Sequence, residues 1–246
     1  MLNERQENLL NFIIKEYVKS AKPVGSVLIA QRGGFDLSSA TLRNEMCELE
    51  QSGYLSQLHT SGGRVPTDKA YRYFVNTLIN NKNFEPATDD KKKIRTAVNS
   101  TEDPRRLNKN IAQVLSDLSD NIVITNILDD QDFYKVGLAS LVEFPEFREA
   151  ERIFEMASFF DRFESMFSRI EKCFFGELEE EFNVLIGKEN RLVQVKNETV
   201  ILAKYFLPEG LRGSLTMIGP TRMDYEKNIS LVKYATDELN KLSKTT

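Results

Sequence analysis

The chain has 246 residues, of which 41% are hydrophobic and 28% charged, with a formal net charge of −4. That composition suits one or two globular domains with a substantial core and excludes a chain that is disordered throughout. The slightly acidic balance also excludes coating of nucleic acid by bulk charge, so any such contact must be local and shaped.

The single histidine, His59, and two widely spaced cysteines, Cys47 and Cys173, cannot assemble a Cys/His zinc cluster. His59 has no obvious catalytic partner, so the chain is not expected to be an enzyme or to need a cofactor. Two isolated thiols and the lack of a signal-peptide pattern fit a reducing, cytoplasmic setting. No apolar run approaches the roughly 20 residues that span a bilayer, so no membrane partner is expected. Residues 1–82 carry ten Lys/Arg and eight Asp/Glu, and residues 83–246 carry 23 and 29. The sign changes at the polar stretch Asn80 to Asp90, which contains Pro86. A domain boundary is placed there, giving 1–82, a linker over 83–103 and a second domain over 104–246.

In chain order, Leu9, Leu10, Ile13, Ile14, Tyr17 and Val18 recur at helical spacing and predict a helix over about 3–20, closed off before Pro23. Ser26 is read as the cap of a short second helix that ends at Gly33-Gly34. A third helix is predicted over 39–52, with Ser38 or Ser39 as N-cap and Gly53 as C-cap. Its Leu42, Met46 and Leu49 form the core stripe. Ala40, Arg43, Asn44, Cys47 and Gln51 then face outward, with Thr41 at the flank. An outward face with short polar groups and one arginine suits the major groove, where arginine can donate two bonds to guanine and asparagine can bridge adenine.

Leu55 and Leu58 then suggest a strand, Gly62-Gly63 a tight turn, and Arg64-Val65 a return strand. Three helices and a hairpin predict a winged helix-turn-helix. His59, Thr60, Ser61 and Arg64 would occupy its wing, where hydroxyls and a guanidinium suit phosphate contacts. Thr67 is read as capping a further helix carrying Tyr71, Phe74, Val75 and Leu78. The same pattern also suits a protein-interaction module, and both readings stand at this level.

The second half reads as mixed α and β. Leu107, Ile111, Val114, Leu115 and Leu118 predict a helix, and Ile122 to Leu128 a buried strand. Residues 146–175 predict one long or broken helix whose apolar face holds Phe154, Phe159, Phe160, Phe163, Phe167 and Ile170, with Phe174 and Phe175 beyond. This phenylalanine surplus fits either core or a partner surface. Strands are predicted over 184–186, 192–195, 200–206 and 215–218, and a last helix carries Ile229, Leu231, Val232, Tyr234, Leu239 and Leu242. The whole is an α+β architecture. Lys188, Glu189, Asn190, Arg222 and Asp224 could line a pocket or fix turns, and turn-fixing is the preferred reading.

Several motifs, in order, carry a resemblance. They are Pro23-Val-Gly-Ser26, Ser39-Ala-Thr-Leu-Arg-Asn-Glu-Met46, Leu49-Glu-Gln-Ser-Gly-Tyr-Leu55 and His59-Thr-Ser-Gly-Gly-Arg-Val-Pro-Thr-Asp68. Phe144-Pro-Glu-Phe147, Ile186-Gly-Lys-Glu-Asn190 and Ile218-Gly-Pro-Thr-Arg-Met-Asp-Tyr225 follow. Together they resemble the HrcA family of bacterial heat-inducible transcription repressors. The resemblance implies a homodimer that binds an inverted-repeat operator in double-stranded DNA, represses chaperone genes, depends on the GroE chaperonin and releases on heating. It implies that 39–52 is the recognition helix and 57–66 the wing, and with the faces read above DNA contacts are expected at Ser39, Ala40, Thr41, Arg43, Asn44, Cys47, His59, Thr60, Ser61 and Arg64. The second domain would be GAF-like, with a family-typical inserted dimerisation segment reduced or absent, because Leu128 passes almost directly to Phe133. A winged-helix regulator that senses a ligand or a protein and touches DNA only generically is the alternative.

Overall fold

A computed structural model describes residues 2–58, 62–80, 85–128, 132–175 and 181–243, the side chains of 167–175 excepted. The chain divides into two compact units, Met1–Lys82 and Asn83–Thr246.

In the first unit, α1 (Glu4–Ser20) starts at a reciprocal cap. Asn3 accepts from the Gln6 amide while the Gln6 side chain accepts from the Asn3 amide. The helix ends at Ala21 in a left-handed conformation, two residues before Pro23. The second helix, α2 (Ser26–Arg32), is capped by Gly25, and Ser26 is its first residue, without a side-chain cap bond. This corrects the expected role of Ser26. Ser38 caps α3 (Ser39–Gln51) by accepting from the Thr41 amide at 3.1 Å. Ser52, rather than Gly53, closes it, and Gly53 follows at φ +77.

The strands β1 (Leu55–Gln57) and β2 (Arg64–Pro66) pair antiparallel, with Gln57 opposite Arg64. Val24, from the connection between α1 and α2, exchanges two backbone bonds of 2.9 Å with Arg64 and so bridges to β2 from outside the hairpin. This explains Gly63, since a Cβ there would come within 2.6 Å of the Val24 backbone. Thr67 donates to the Gly53 carbonyl at 2.7 Å and accepts from the Ala70 amide at 3.4 Å, at the start of α4 (Asp68–Asn80). Leu9, Leu10, Ile13 and Ile14 of α1, Ile29 of α2, the Leu42/Met46/Leu49 stripe of α3 and Tyr71, Phe74 and Val75 of α4 make the buried core.

The second unit opens with α5 (Thr88–Val98), inside the stretch read as a linker. That expectation is corrected. Ile94, Ala97 and Val98 are buried, and α5 packs on α6 (Pro104–Ser119) and α8 (Tyr225–Ser243). Five strands follow, β3 (Ile122–Ile127), β4 (Asp132–Val136), β5 (Phe182–Ile186), β6 (Glu198–Phe206) and β7 (Arg212–Pro220). They form one antiparallel sheet in the order β4-β3-β7-β6-β5.

Alternation along the strands sends residues to two covered faces. Thr125 and Tyr205 reach Asn108 on α6, and Thr199 meets Tyr225 of α8. Ile122, Ile124, Val200, Leu202 and Ile218 pack the other way, against Phe147 and against Met156, Phe159 and Phe163 of α7 (Ala150–Phe175).

Two further expectations are corrected here. Residues 192–195 form no strand. Val193–Val195 is a 3-10 turn that buries Leu192 and Val195 in the α7-side core and leaves Val193 outside. Phe154, read as part of the apolar face of α7, is 76% exposed. The sides of Phe167, Ile170, Phe174 and Phe175 lie outside the described residues.

Candidate nucleic-acid interface

The outward face of α3 follows from its inward one. With Leu42, Met46 and Leu49 fixed in the core, Ser39, Ala40, Arg43, Asn44 and Gln51 are exposed, and Thr41 and Cys47 are half-buried at the edges. No acidic residue occupies its first turn, so the positive end of the peptide dipoles is uncompensated there. The Thr41 hydroxyl is shared with Ser38 at 2.9 Å. Among the described residues no ion pair engages Arg43.

Two of the three carboxylates of α3 are drawn away from that face, and the third, Glu48, stays exposed one turn beyond Asn44. Glu45 is buried and paired with Arg5 of α1. Glu48 accepts from Gln6 Nε2 at 2.9 Å, also on α1. Glu50 accepts from Arg64 Nε at 2.9 Å. The Arg5 and Gln6 partners carry no signal in the local pattern of α3, and sequence reasoning missed them. The only signal for them is their place one turn ahead of the buried residues of α1.

Arg64 departs from the wing expectation. It is only 8% exposed, and besides Glu50 its Nη2 donates to Cys47 Sγ at 3.1 Å. The guanidinium therefore points back to α3 instead of outward at the loop tip, because Val24 and Gln57 hold its backbone on both sides. His59, Thr60 and Ser61, the other wing residues, lie outside the described residues. α4 is tied to α1 by Tyr73, whose hydroxyl donates to Glu7 Oε1 at 2.5 Å. Burial and the neighbouring Glu7 carboxylate push its phenol up to about 12.

The polar residues of the second unit fix its turns. Glu189 accepts from the Ile186 amide at 2.9 Å, and Asn190 donates to the Gly187 and Glu198 carbonyls at 3.0 and 2.8 Å. Asp224 accepts from the Lys227 amide at 3.1 Å at the start of α8. Arg222 clasps Glu146 with two donors, one at 3.0 Å, which joins two of the sequence patches that lie far apart in the chain. Lys188 is exposed on its turn. Among the described residues no group of His, Cys, Asp or Glu is placed to hold a metal ion, and no helix is long and apolar enough to cross a membrane.

Fold and site together define an α+β protein of two units, the first of which offers a polar helix face beside a hairpin. The family model described as the HrcA protein C terminal domain matches residues 66–229. A protein named heat-inducible transcription repressor HrcA from Thermoanaerobacter pseudethanolicus is 27% identical over 338 aligned residues, covering 98% of this chain and 97% of the relative. One of the same name from Clostridioides difficile is 24% identical over 338 aligned residues, covering 98% and 99%. A crystal structure described as a hypothetical protein, 20% identical, superposes with a TM-score of 0.83 over 100% of both chains and shares the fold. The chain belongs to the HrcA family of heat-inducible transcription repressors. Aligning its 246 residues across 338 positions opens gaps within it.

Proposed function

We propose that this chain represses heat-shock genes by binding an inverted-repeat operator as a homodimer, through a winged helix-turn-helix over residues 1–82. The observation that carries this reading is the N-terminal end of the outward face of α3, where Arg43 stands exposed, no acid occupies the first turn, and Glu45 and Glu50 are held in ion pairs off the face. A helix whose leading end carries no exposed acid can enter the field of the phosphates there without repulsion. Arg43 and Asn44 read base edges. Ser39, Ala40 and Thr41 lie at the N-terminal end beside the backbone, and Cys47 is the small residue that lets the helix approach. His59, Thr60 and Ser61 take phosphates from the wing. Arg64 acts from behind, holding the hairpin to α3.

The second unit is the regulatory half. Its single antiparallel sheet, covered on both faces, is compatible with a GAF-like domain. Ile127 stands opposite Asp132 across a short connection, which leaves no room there for an inserted segment. Heat releases the repressor, and the GroE chaperonin restores it. The protein works in the cytoplasm, where its operator is, and performs no catalysis.

The test is nuclease footprinting on the promoter of the organism's own chaperone operon. Protection of both arms of an inverted repeat, weakening steeply as salt rises, is the expected result. Protection that follows no sequence would contradict the proposal and favour generic contact.

A further inference from the structure

The outward face of α3 has two edges. Arg43 and Cys47, one turn apart, lie toward the hairpin, where Arg64 donates to Cys47 at 3.1 Å. Thr41, Asn44, Glu48 and Gln51 recur at steps of three, four and three and form a second row, on the side where Gln6 of α1 reaches Glu48. Asn44, Glu48 and Gln51 are exposed and Thr41 is half-buried. One member of this row is an acid. A carboxylate brought into a groove flanked by phosphates is repelled unless it meets a hydrogen-bond donor there.

The neighbours of Glu48 leave it that capacity. Glu45 and Glu50 are each paired with an arginine, Arg5 and Arg64. The contact of Glu48 is a neutral amide instead, with Gln6 Nε2 donating to its Oε2 at 2.9 Å. Gln6 is itself held, since its Oε1 accepts from the Asn3 backbone amide at 3.3 Å, which turns the amide nitrogen toward α3. Among the described residues no cation pairs with Glu48, and its Oε1 accepts from no donor. The carboxylate is therefore oriented from α1, uncompensated by a cation, with one oxygen open.

An ionised carboxylate accepts hydrogen bonds and cannot donate them. In the major groove guanine offers the acceptors N7 and O6, and thymine the acceptor O4. Adenine sets the acceptor N7 beside its amine, whereas cytosine presents its N4 amine alone. We infer that Glu48 selects a cytosine in each arm of the operator by accepting from its N4 amine, with Gln6 as the residue that positions it. The inference rests on the DNA-binding reading above and adds a base that this row of α3 specifies.

The test is selection of bound duplexes from a random pool by the full chain, with the bound fraction sequenced. The unsubstituted protein is expected to enrich an inverted repeat with a cytosine fixed at one position of each arm that answers to Glu48. Glu48→Ala should lower the preference for that cytosine by about tenfold and leave the other positions as they were. Glu48→Gln should move the same position toward adenine, whose N6 and N7 suit the donor and acceptor of an amide. Damage to the fold would flatten every position and could not exchange one base for another. Gln6→Ala should weaken the preference at that position alone. A Glu48→Ala protein that binds all duplexes more tightly by one factor, with the motif unaltered, overturns the inference and makes Glu48 a repulsive surface group. An unaltered motif with unaltered affinity also overturns it and leaves Glu48 as a packing contact of α1. Either result keeps the DNA-binding reading, whereas an unsubstituted chain that enriches no motif overturns both.

Discussion

Arg64 Nε lies 2.9 Å from Glu50 Oε2, joining the return strand of the hairpin to the last turn of α3. The same guanidinium reaches Cys47 at 3.1 Å, so one buried cation organises the edge of the presented helix. Arg64→Ala should destabilise the first unit by about 2 kcal/mol, since it removes charge-assisted bonds and strands Glu50. Arg64→Lys should recover only part, because a single ammonium cannot reach both partners. Chemical denaturation, with amide exchange read at 55–57 and 64–65, checks this. Unchanged stability and protection would mean the pair contributes nothing.

Arg43→Ala should weaken binding to a matched operator by about 1–3 kcal/mol and leave affinity for a scrambled duplex nearly unchanged. Fluorescence anisotropy on the two duplexes measures both. An equal loss on each would reduce Arg43 to a phosphate contact.

How much of this was legible follows from where the partners sit. The stripe Leu42, Met46 and Leu49 is local, so helical spacing alone fixes which side of α3 is buried and which residues it presents. The role of Arg64 was not legible. A charged residue next to two glycines reads as exposed, and its partners lie 14 and 17 positions back along the chain. The α5 helix was missed because its Asp-Asp-Lys-Lys-Lys run reads as solvated, and only Ile94, Ala97 and Val98 carry the buried face. The placing of β3 beside β7 could not be read from spacing, since that pairing joins residues near 125 to residues near 215. Phe154 differs from Phe159 and Phe163 only by its angle around α7, which an apolar count ignores.

Tyr73 predicts a pH dependence. Its phenol titrates at 10.0 in the ordinary case and near 12 in the fold. The folded state favours the protonated form, so this contribution is fully present below about pH 10 and is lost as the pH rises through about 12. Urea midpoints should therefore fall more steeply across that window than they do for Tyr73→Phe, whose curve lacks this contribution. Parallel curves would contradict the coupling to Glu7.

The Arg222–Glu146 clasp predicts a stability effect in the second unit. Arg222 is 8% exposed, so Glu146→Ala, which takes its carboxylate away, should cost about 2–3 kcal/mol. Glu146→Gln, which still accepts one bond, should cost less. Thermal melts of the full chain, with exchange read over 139–147, distinguish the two. Equal melts for all three proteins would leave the clasp without energetic weight.

The central claim is that two copies of this chain present two α3 helices to one palindromic site. Its most direct test is a titration of the full chain against a duplex carrying the inverted repeat and against a scrambled duplex, at two salt concentrations, with the mass of the complex measured. The account predicts two chains per duplex on the repeat, bound more tightly than on the scrambled duplex and losing affinity steeply with salt. One chain per duplex, or equal affinity for both duplexes, would contradict it.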